Sequence, residues 1–599
     1  MKEYDLPSLV ESDPNSNITD LLIDRAARTP NLALYGIQST DGETWADVTA
    51  ADFLVRVREL AKGFIAAGVQ PGQRVAIMSH TSFEWTLVDQ ALWFAGAVSV
   101  PIYETSSPSQ MAWILSDSEV VAIYLESPEM LEKLNEVRHQ SAYLREVWTG
   151  FDGSLEKLIA GGESVSDETL ERHRTHAKLD SLATIIYTSG TTGQPKGCEL
   201  AHRGFVDLSK NAKLELPVVI ADGQRTLLFL PLAHVFARFI EVLAIHAGVK
   251  VGHQADIRNL ANAMQTFKPN FLLAVPRVFE KVYNLAEQKA EAGGKGDLFR
   301  RAASTAIKYS MALDTPHGPG LKLRIQFWVF DRLVFSKIRA NMGGKVRYAV
   351  SGGAPLGVRL GHFFRAIGLI VLEGYGLTET TAPAMIARPD SIRIGKVGRL
   401  LPGCGIRIAD DGEILLRGSN VLTGYHNNPA ATAEAIVDGW FHTGDIGALD
   451  EDGFLSITGR KKELIITAGG KNVAPAPMED PLRADPLIGQ AVVVGDNKPF
   501  VACLISLDSE MLPIWLGSHG LSKEMTIAEA ATHPAIIAEV QAAVDRVNKT
   551  VSKAEAIKKF VILETELTQE SGHVTPSLKV KRKTVTDDFA QQIAEIYAH

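Results

Sequence analysis

The chain has 599 residues, of which 46% are hydrophobic, so it can bury a large core and should divide into several domains. Its formal net charge is −9 and it contains no dense run of Lys and Arg, which argues against nucleic acid as a partner. Cys198, Cys404 and Cys503 lie far apart and show no metal-ligand spacing, as is typical of thiols in a reducing compartment. The first residues are acidic and form no apolar core, so they do not match a signal peptide, and we expect a cytoplasmic protein.

The N-terminal part alternates apolar strands with amphipathic helices. Helices are predicted at residues 18–28, 50–67 and 83–94, and strands at 74–78, 98–102 and 120–124. This alternation indicates an α/β fold whose sheets are largely parallel. The sequence therefore predicts a large N-terminal region with parallel sheets.

An apolar run at 182–186 predicts a strand that leads into Y-T-S-G-T-T-G-Q-P-K-G at 187–197. Glycines permit close backbone approach to a bulky anion, backbone N–H groups can form an anion-binding nest, and a lysine adds a suitable positive charge. The candidate phosphate contacts are Thr188, Ser189, Gly190, Thr191, Thr192, Gly193 and Lys196. The P-loop pattern fails here, because Pro195 stands where its second glycine belongs and Gly197 follows the lysine. A surface turn rich in Gly, Ser and Thr is the alternative.

The stretch 187–197 resembles the signature loop of the adenylate-forming superfamily, which includes acyl-CoA synthetases, peptide-synthetase adenylation domains and luciferases. A strand predicted at 227–230 then leads to P-L-A-H-V-F-A-R, where His234 resembles the substrate-side histidine of that superfamily. A satisfied core histidine is the alternative. The apolar run 227–249 contains charged residues and Pro231, so it should form a buried strand and helix and not a membrane span.

Residues 285–342 predict a helical insertion that follows a strand at 271–275 and the sequence V-P-R-V-F-E-K-V-Y. Within the insertion, 321–338 is dense in apolar and aromatic residues interleaved with Lys and Arg. A basic amphipathic face of this kind indicates contact with a membrane surface or a fatty substrate. The alternative is a helix that packs its apolar face on the large domain. Both the insertion and the V-P-R-V-F-E-K-V-Y segment resemble long-chain acyl-CoA synthetases.

Two further strands, predicted at 346–350 and 370–372, precede S-G-G-A-P and E-G-Y-G-L-T-E-T-T. Loops that contain glycine at the ends of parallel strands are the usual place for a nucleotide. The resemblance implies that the residues flanking the adenine are Gly353, Ala354, Pro355, Glu373, Gly374, Tyr375, Gly376 and Thr378, with the ring of Tyr375 against its face.

Glu379 closes the second of these motifs. A hard carboxylate suits Mg²⁺, which prefers few protein oxygens together with phosphate oxygens. Taken alone, such a glutamate is more often solvated or a capping residue. The superfamily associates this glutamate and the first threonine of the loop with the metal, which implies that Glu379 and Thr188 bind Mg²⁺.

Asp445, in W-F-H-T-G-D-I-G, has a carboxylate suited to two vicinal hydroxyls such as those of a ribose, and an Asx turn is the alternative. The resemblance implies that Asp445 binds the ribose and that Arg460 makes a second nucleotide contact. The charged run 459–475 with its glycine pair marks a domain boundary. There the resemblance implies a hinge at Lys462.

The hinge would separate an N-terminal domain, residues 1–461, from a small mobile α+β C-terminal domain, residues 462–599. The resemblance places Gly469 and Gly470 near the pantetheine channel once this domain has turned. The last motif, T-P-S-L-K-V-K-R-K at 575–583, is either a solvated tail or, aligned on its proline, the terminal lysine motif of the superfamily. Leu578 replaces the glycine that is usual there. Lys579 is then the catalytic lysine, with Lys581 as the alternative.

The motifs span 187–583, so the resemblance covers nearly the whole chain and points to the long-chain fatty acyl-CoA synthetase branch of bacterial type. It implies that a fatty acid, ATP and coenzyme A give acyl-CoA, AMP and pyrophosphate through acyl-AMP, with Mg²⁺ as cofactor. The implied catalytic residues are Lys579, His234 and Thr188. Three alternatives stay open: transfer to a carrier-protein thiol, as in fatty-acyl-AMP ligases, a silent binding protein, and a membrane adaptor. Peripheral contact with the inner face of the membrane is expected, and the oligomeric state is not indicated.

Overall fold

The computed structural model describes residues 1–188, 194–469, 471–553, 555–575 and 579–598. Five candidate phosphate contacts, Ser189 to Gly193, lie outside the described residues, as do Gly470 and Leu578. The N-terminal region contains two mixed sheets with parallel centres and an antiparallel sheet. The α/β class predicted from the alternation of strands and helices is therefore confirmed.

The first sheet carries the predicted phosphate loop at its carboxyl edge. Its strands, in spatial order, are Gly424–Tyr425, Lys196–Ala201, Leu182–Thr188, Val98–Ile102, Arg74–Met78, Ala122–Leu125 and Glu146–Thr149. The last five are parallel, and the first two pair antiparallel. Thr188 pairs with Lys196, so the two described ends of the loop lie side by side.

The second sheet carries the predicted adenine-side motifs. Its strands, in spatial order, are Arg399–Leu400, Ala382–Ile386, Ile370–Leu377, Tyr348–Ser351, Phe271–Ala274, Arg225–Leu228, Lys250–His253, Ala33–Gln38 and Trp45–Thr49. The centre, from Ile370–Leu377 to Ala33–Gln38, is parallel, and the outer pairs are antiparallel.

A third, antiparallel sheet contributes Asp445 and Arg460. Its strands are Glu3–Asp5, Cys404–Ile408, Glu413–Gly418, Trp440–Leu449 and Ile436–Val437, with Leu455–Arg460 paired to Trp440–Leu449. In the C-terminal region Ile465–Ile466 pairs with Asn472–Val473, and Val501–Leu507 lies between Ile488–Val494 and Ile557–Ile562. The buried apolar residues from Ile465 to Ile596 form clusters of their own.

Helices cover the faces of these sheets. Up to residue 267 they are Ile18–Arg28, Ala50–Ala66, Phe83–Phe94, Pro108–Asp117, Pro128–Val137, Ser154–Gly161, Asp167–Arg174, His202–Glu215, Val235–Ala247 and Leu260–Phe267. Next comes Pro276–Ala292, which starts before the predicted insertion and runs into it, and the rest of the insertion contains Gly296–Leu313, Leu321–Phe330 and Ser336–Asn341. The remainder are Val358–Ala366, Pro429–Ala435, Ala476–Arg483, Leu512–Ser518, Ile527–Thr532, Pro534–Asn548, Arg582–Asp588 and Ala590–Ala598.

Helix Val235–Ala247 is buried between the first two sheets and is held there by an internal ion pair. Arg238, which is fully buried, donates to both carboxylate oxygens of Asp89 at 2.6 and 2.9 Å and to Thr184 Oγ1 at 2.6 Å. Thr184 lies on the strand that leads into the phosphate loop. A buried guanidinium needs such partners, since an unpaired charge in the interior is costly. Arg238 therefore ties the helix that starts after His234 to the strand before the loop.

Elements with strong periodicity have the predicted bounds, for example the helices at 18–28 and 83–94 and the strand at 74–78. The strand expected at 120–124 begins later, at Ala122, and the one expected at 346–350 is Tyr348–Ser351. The buried strand and helix expected within 227–249 are confirmed. No helix among the described residues is long and apolar enough to cross a membrane.

One boundary prediction is wrong in a way that matters for the site. The strand expected at 370–372 continues to Leu377, so E-G-Y-G-L is strand and not loop. Gly374 to Leu377 leave the parallel centre and pair antiparallel with Ala382–Ile386. Gly376 makes this close pairing possible, because a Cβ there would lie 2.2 Å from the Ala382 carbonyl oxygen.

Candidate active site

Asp445 joins the second and third sheets in a buried polar contact. Tyr375 Oη donates to Asp445 Oδ2 at 2.7 Å, and Arg460 Nε lies 3.0 Å from Asp445 Oδ1. Burial, followed by the Asp445 charge, raises the pKa of Tyr375 well above its usual value, so the phenol stays protonated. Three residues predicted to contact the nucleoside are thus adjacent, and both carboxylate oxygens of Asp445 are fixed in place.

The S-G-G-A-P loop is open to solvent and is held from behind. Gly353 has φ = +85°, a left-handed conformation that favours glycine, and Ala354 and Pro355 are exposed. The next residue, Leu356, donates its N–H to Glu373 Oε2 at 3.1 Å. Burial raises the pKa of Glu373. Glu373 therefore braces the loop from the neighbouring strand.

Glu379 and Thr188, the two predicted metal ligands, lie on either side of Cys198. Tyr425 Oη donates to Glu379 Oε1 at 3.1 Å. Thr188 Oγ1 is 3.8 Å from Cys198 Sγ, and burial together with the Glu379 charge raises the pKa of Cys198. The partner of the Glu379 carboxylate is thus a phenol, and no cation of the part of the chain that the structure describes forms an ion pair with it, so the carboxylate is available for a ligand.

The backbone that follows Glu379 is strained. Thr381 has φ = +51° and Ala382 has φ = +90°, although neither is glycine. Such conformations cost of order 1–3 kcal/mol each and cluster at functional sites. Leu422 N donates to the Glu379 carbonyl at 2.8 Å, which holds this turn in place. Thr378 starts the turn, in the one-turn helix Thr378–Thr380.

His234 caps the helix Val235–Ala247. Its Nδ1 accepts from Phe236 N at 3.1 Å, which sets the neutral tautomer with the proton on Nε2. Burial, and next the charge of Lys579, lower the pKa of His234 to about 4, so the ring is neutral at pH 7. The Phe236 ring packs on Gly352, with its Cε1 3.1 Å from where a Gly352 Cβ would be. The histidine segment therefore adjoins the S-G-G-A-P loop.

Lys579 brings the C-terminal region to this site. Lys579 is exposed to solvent. Desolvation and the Arg460 charge nevertheless lower the pKa of Lys579, while the charges of Asp445 and Glu379 act to raise it. Its backbone N–H donates to Thr575 Oγ1 at 3.0 Å. The charge of Lys579 thus interacts with those of Arg460, Asp445 and Glu379, and it acts on the pKa of His234. Nearby Arg582 binds both carboxylate oxygens of Glu479 at 2.7 Å, so this segment is not a solvated tail.

The C-terminal region is held in this orientation by contacts from V-P-R-V-F-E-K-V-Y. Arg277 donates to Asp508, and Lys281 Nζ lies 2.7 Å from Glu510 Oε2. Lys462 and Gly469 are exposed, and no hydrogen bond or ion pair within the described ranges joins them to the group around Asp445.

Sequence reasoning missed Tyr425 and Cys198 as site residues. Tyr425 contacts Glu379 because its short strand pairs with the strand that follows the phosphate loop, with Tyr425 opposite Cys198. Lys196 Nζ lies 5.2 Å from the centre of the Tyr425 ring. A tyrosine next to glycine carries no local signal of this role, since the contact depends on pairing between strands far apart in sequence.

Comparison with known proteins finds relatives over the whole length of the chain. A long-chain-fatty-acid–CoA ligase from Mycobacterium bovis, FadD15, is 48% identical over the full length of both chains, and FadD15 from Mycobacterium tuberculosis is 47% identical over the same extent. A long-chain-fatty-acid–CoA ligase from Xenopus laevis, ACSBG2, is 31% identical over 94% of this chain and 81% of its own.

Solved structures share the fold. The anthranilate CoA ligase AuaEII in complex with anthranoyl-AMP has a TM-score of 0.74 at 18% identity, over 97% of this chain and 99% of that one. A fatty acyl CoA synthetase from Mycobacterium tuberculosis has a TM-score of 0.62 at 22% identity, over 97% and 100%. Residues 23–426 match the family described as AMP-binding enzyme, and residues 462–599 match its C-terminal domain. The chain therefore belongs to the AMP-binding enzyme family and, through its full-length relatives, to the long-chain acyl-CoA synthetase branch of the adenylate-forming superfamily.

Proposed function

We propose that the protein is a long-chain fatty acid–CoA ligase that converts a fatty acid, ATP and coenzyme A to acyl-CoA, AMP and pyrophosphate. One observation carries the proposal: Lys579 of the C-terminal region lies in the same electrostatic environment as Asp445, Arg460, Glu379 and His234. Attack of a carboxylate on ATP requires positive charge beside the nucleotide, and Lys579 and Arg460 carry such charge. The full-length relatives named as long-chain-fatty-acid–CoA ligases support the choice of substrates.

In the first step, a carboxylate oxygen attacks the α-phosphorus of ATP, and the bond from that phosphorus to the bridging oxygen of the β-phosphate breaks. Two anions must approach each other, so positive charge is needed where they meet. Arg460, which is paired with Asp445, and Lys579, whose charge interacts with both, supply it, and we assign Asp445 to the ribose hydroxyls. His234 is neutral at pH 7, so its Nε2–H can donate to the fatty acid carboxylate without competing for the phosphate.

The site fits Mg²⁺ as cofactor. The Glu379 carboxylate accepts a hydrogen bond from the Tyr425 hydroxyl. No cation among the described residues lies within ion-pair distance of it. Thr188 offers a hydroxyl at the end of its strand. Few protein oxygens completed by phosphate oxygens are what Mg²⁺ prefers. When bound, the ion would neutralise phosphate charge. We assign the loop residues Ser189 to Gly193 and Lys196 to the same phosphates.

In the second step, the CoA thiol loses its proton and its sulfur attacks the acyl carbonyl carbon, and the bond from that carbon to the AMP oxygen breaks. This step needs Lys579 to leave and a channel to open, which we assign to rotation of residues 462–599 about Lys462. The separate hydrophobic clusters after Ile465 and the family match that begins at residue 462 support this boundary. Gly469 and Gly470 would then line the channel.

We place the enzyme in the cytoplasm, in contact with the inner face of the membrane, where its lipid substrate is dissolved. The deciding experiment is a screen of acids of increasing chain length with ATP and CoA, in which AMP release and the mass of the thioester are followed together. Long-chain acyl-CoA is the expected product. Release of AMP without acyl-CoA would favour a carrier-protein thiol as acceptor, and no acid-dependent AMP would indicate a silent binding protein.

A further inference from the structure

Part of the helical insertion presents an unpaired apolar surface to solvent. Leu321, Ile325, Trp328, Val329 and Leu333, called the docking face below, are exposed, with accessible fractions of 75% for Leu321 and 55% for Trp328. At 100° per residue Leu321, Ile325, Trp328 and Val329 lie on one side of helix Leu321–Phe330, and Leu333 follows in the π-helical turn Asp331–Phe335. Large exposed apolar patches mark interaction sites, because monomeric proteins rarely leave them uncovered.

The opposite side of the same segment packs on the large domain. Phe327 stacks on Tyr309 with ring centres 4.1 Å apart, and Phe335 is completely buried against Phe363. Phe330 and Val334 also pack on this cluster. The insertion therefore packs on the large domain through residues outside the docking face.

The charges around the docking face are almost all positive. Lys322, Arg324, Arg332 and Lys337 are exposed, and the Arg332 guanidinium lies 4.3 Å from the centre of the Trp328 ring. The acidic residue of the segment, Asp331, is paired with Arg339 at 2.6 Å. This local charge contrasts with a net charge of −9 for the whole chain.

Apolar side chains with a tryptophan and flanking Lys and Arg match an anionic lipid surface. The apolar residues can enter the boundary between headgroups and acyl chains, and the cations remain among the headgroups. The packed side of the segment contacts Phe363 on helix Val358–Ala366, which follows the S-G-G-A-P loop. We propose that the docking face binds the anionic surface of a membrane, an inference that rests on the proposed use of a membrane lipid as substrate.

The test is cosedimentation of the full-length protein with vesicles of phosphatidylcholine alone or with anionic phosphatidylglycerol. We expect binding to the anionic vesicles that weakens with salt. Lys322→Gln with Arg332→Gln should weaken it about 25-fold, at about fivefold for each basic residue lost near such a surface. Ile325→Ser with Trp328→Ser should weaken it at least tenfold. A matched control, Leu214→Ser with Ile257→Ser, removes exposed apolar residues elsewhere and should bind as the wild type does.

Each variant is also assayed without vesicles on a soluble acid, where its activity should equal that of the wild type. This assay separates the two proposals. Absence of ligase activity in the wild type and in all variants would refute the proposed function and not the docking face. Two results would overturn the docking proposal: no binding of the wild type to anionic vesicles, or equal binding by the docking-face variants. A concentration-dependent dimer in light scattering that Ile325→Ser with Trp328→Ser abolishes would also overturn it, because the face would then contact a second copy.

Discussion

Replacement of Lys579 by alanine should slow the first half-reaction and spare the second. In the structure its charge interacts with Arg460, Asp445 and Glu379, all of which belong to the proposed nucleotide site. Lys581 offers a matched control, because it is the same residue type two positions along the same segment, and its backbone N–H donates to the His573 carbonyl at 2.8 Å. Comparing Lys579→Ala with Lys581→Ala therefore separates the loss of a positive charge at the site from the loss of any lysine in this segment.

The size of the effect follows from Coulomb's law. A unit charge 4 Å from another is worth about 4 kcal/mol at an effective dielectric constant of 20, and about half of that at twice the distance. Loss of about 2–4 kcal/mol of transition-state stabilisation slows a reaction about 30- to 1,000-fold. This range contains the roughly 10²–10³ associated with one preorganised stabilising group. We expect a loss of about 10² or more for Lys579→Ala and less than about threefold for Lys581→Ala.

The two half-reactions can be measured separately. Acid-dependent exchange between ATP and labelled pyrophosphate reports adenylation, and CoA added to purified acyl-AMP reports thioester formation. Equal loss in both half-reactions would refute the role of Lys579 as a group that acts in adenylation alone. A loss in Lys581→Ala as large as that in Lys579→Ala would move the assignment to Lys581.

The pH dependence gives a second check on Lys579. Desolvation and the Arg460 charge lower its pKa, so the ammonium form loses its proton at a lower pH than a free lysine. Adenylation should therefore decline on the alkaline side below pH 10.5, and the decline should vanish from the residual activity of Lys579→Ala. An unchanged alkaline limb in that variant would show that another group titrates.

Three further variants test separate contacts. Tyr375→Phe removes the hydrogen bond to Asp445, worth about 1.5 kcal/mol, so calorimetry should show roughly tenfold weaker AMP binding, and thermal melts should show a loss of about 1–3 kcal/mol because a buried carboxylate loses a partner; unaltered affinity would argue against a ribose role for that pair. Arg238→Met leaves Asp89 buried and unpaired and should cost about 3–5 kcal/mol of unfolding free energy in thermal melts, which Asp89→Leu in the same chain should largely restore. Lys281→Glu replaces the attraction between Lys281 and Glu510 of the C-terminal region by a repulsion. It should slow adenylation several-fold while thioester formation from acyl-AMP is maintained. Equal slowing of both half-reactions would contradict the proposed role of that contact.

Strongly periodic elements and local motifs could be predicted from the sequence. The helix Ile18–Arg28 has its bounds marked by Asn17, whose side chain caps the first turn in a capping box with Asp20. The extension of the strand to Leu377 could not be predicted, because glycines at 374 and 376 ordinarily indicate a loop. Here pairing with Ala382–Ile386 makes the segment a strand despite its glycines.

Contacts between residues far apart in the chain could not be predicted from the sequence either. Arg238 and Asp89 are 149 positions apart, and each alone would be expected at a surface. Tyr425 reaches Glu379 from 46 positions away because two short strands pair. For the insertion, the packing alternative is confirmed, since one side packs on the large domain. Contact of its exposed side with a membrane stays a prediction.

The claim on which the account depends is that a fatty acid carboxylate oxygen attacks the α-phosphorus of ATP. A long-chain fatty acid labelled with ¹⁸O in both carboxylate oxygens tests it directly, with the nucleotide and thioester products analysed by mass spectrometry. The account predicts AMP that carries one ¹⁸O atom and acyl-CoA that retains the other. Unlabelled AMP, or ADP in place of AMP, would contradict it.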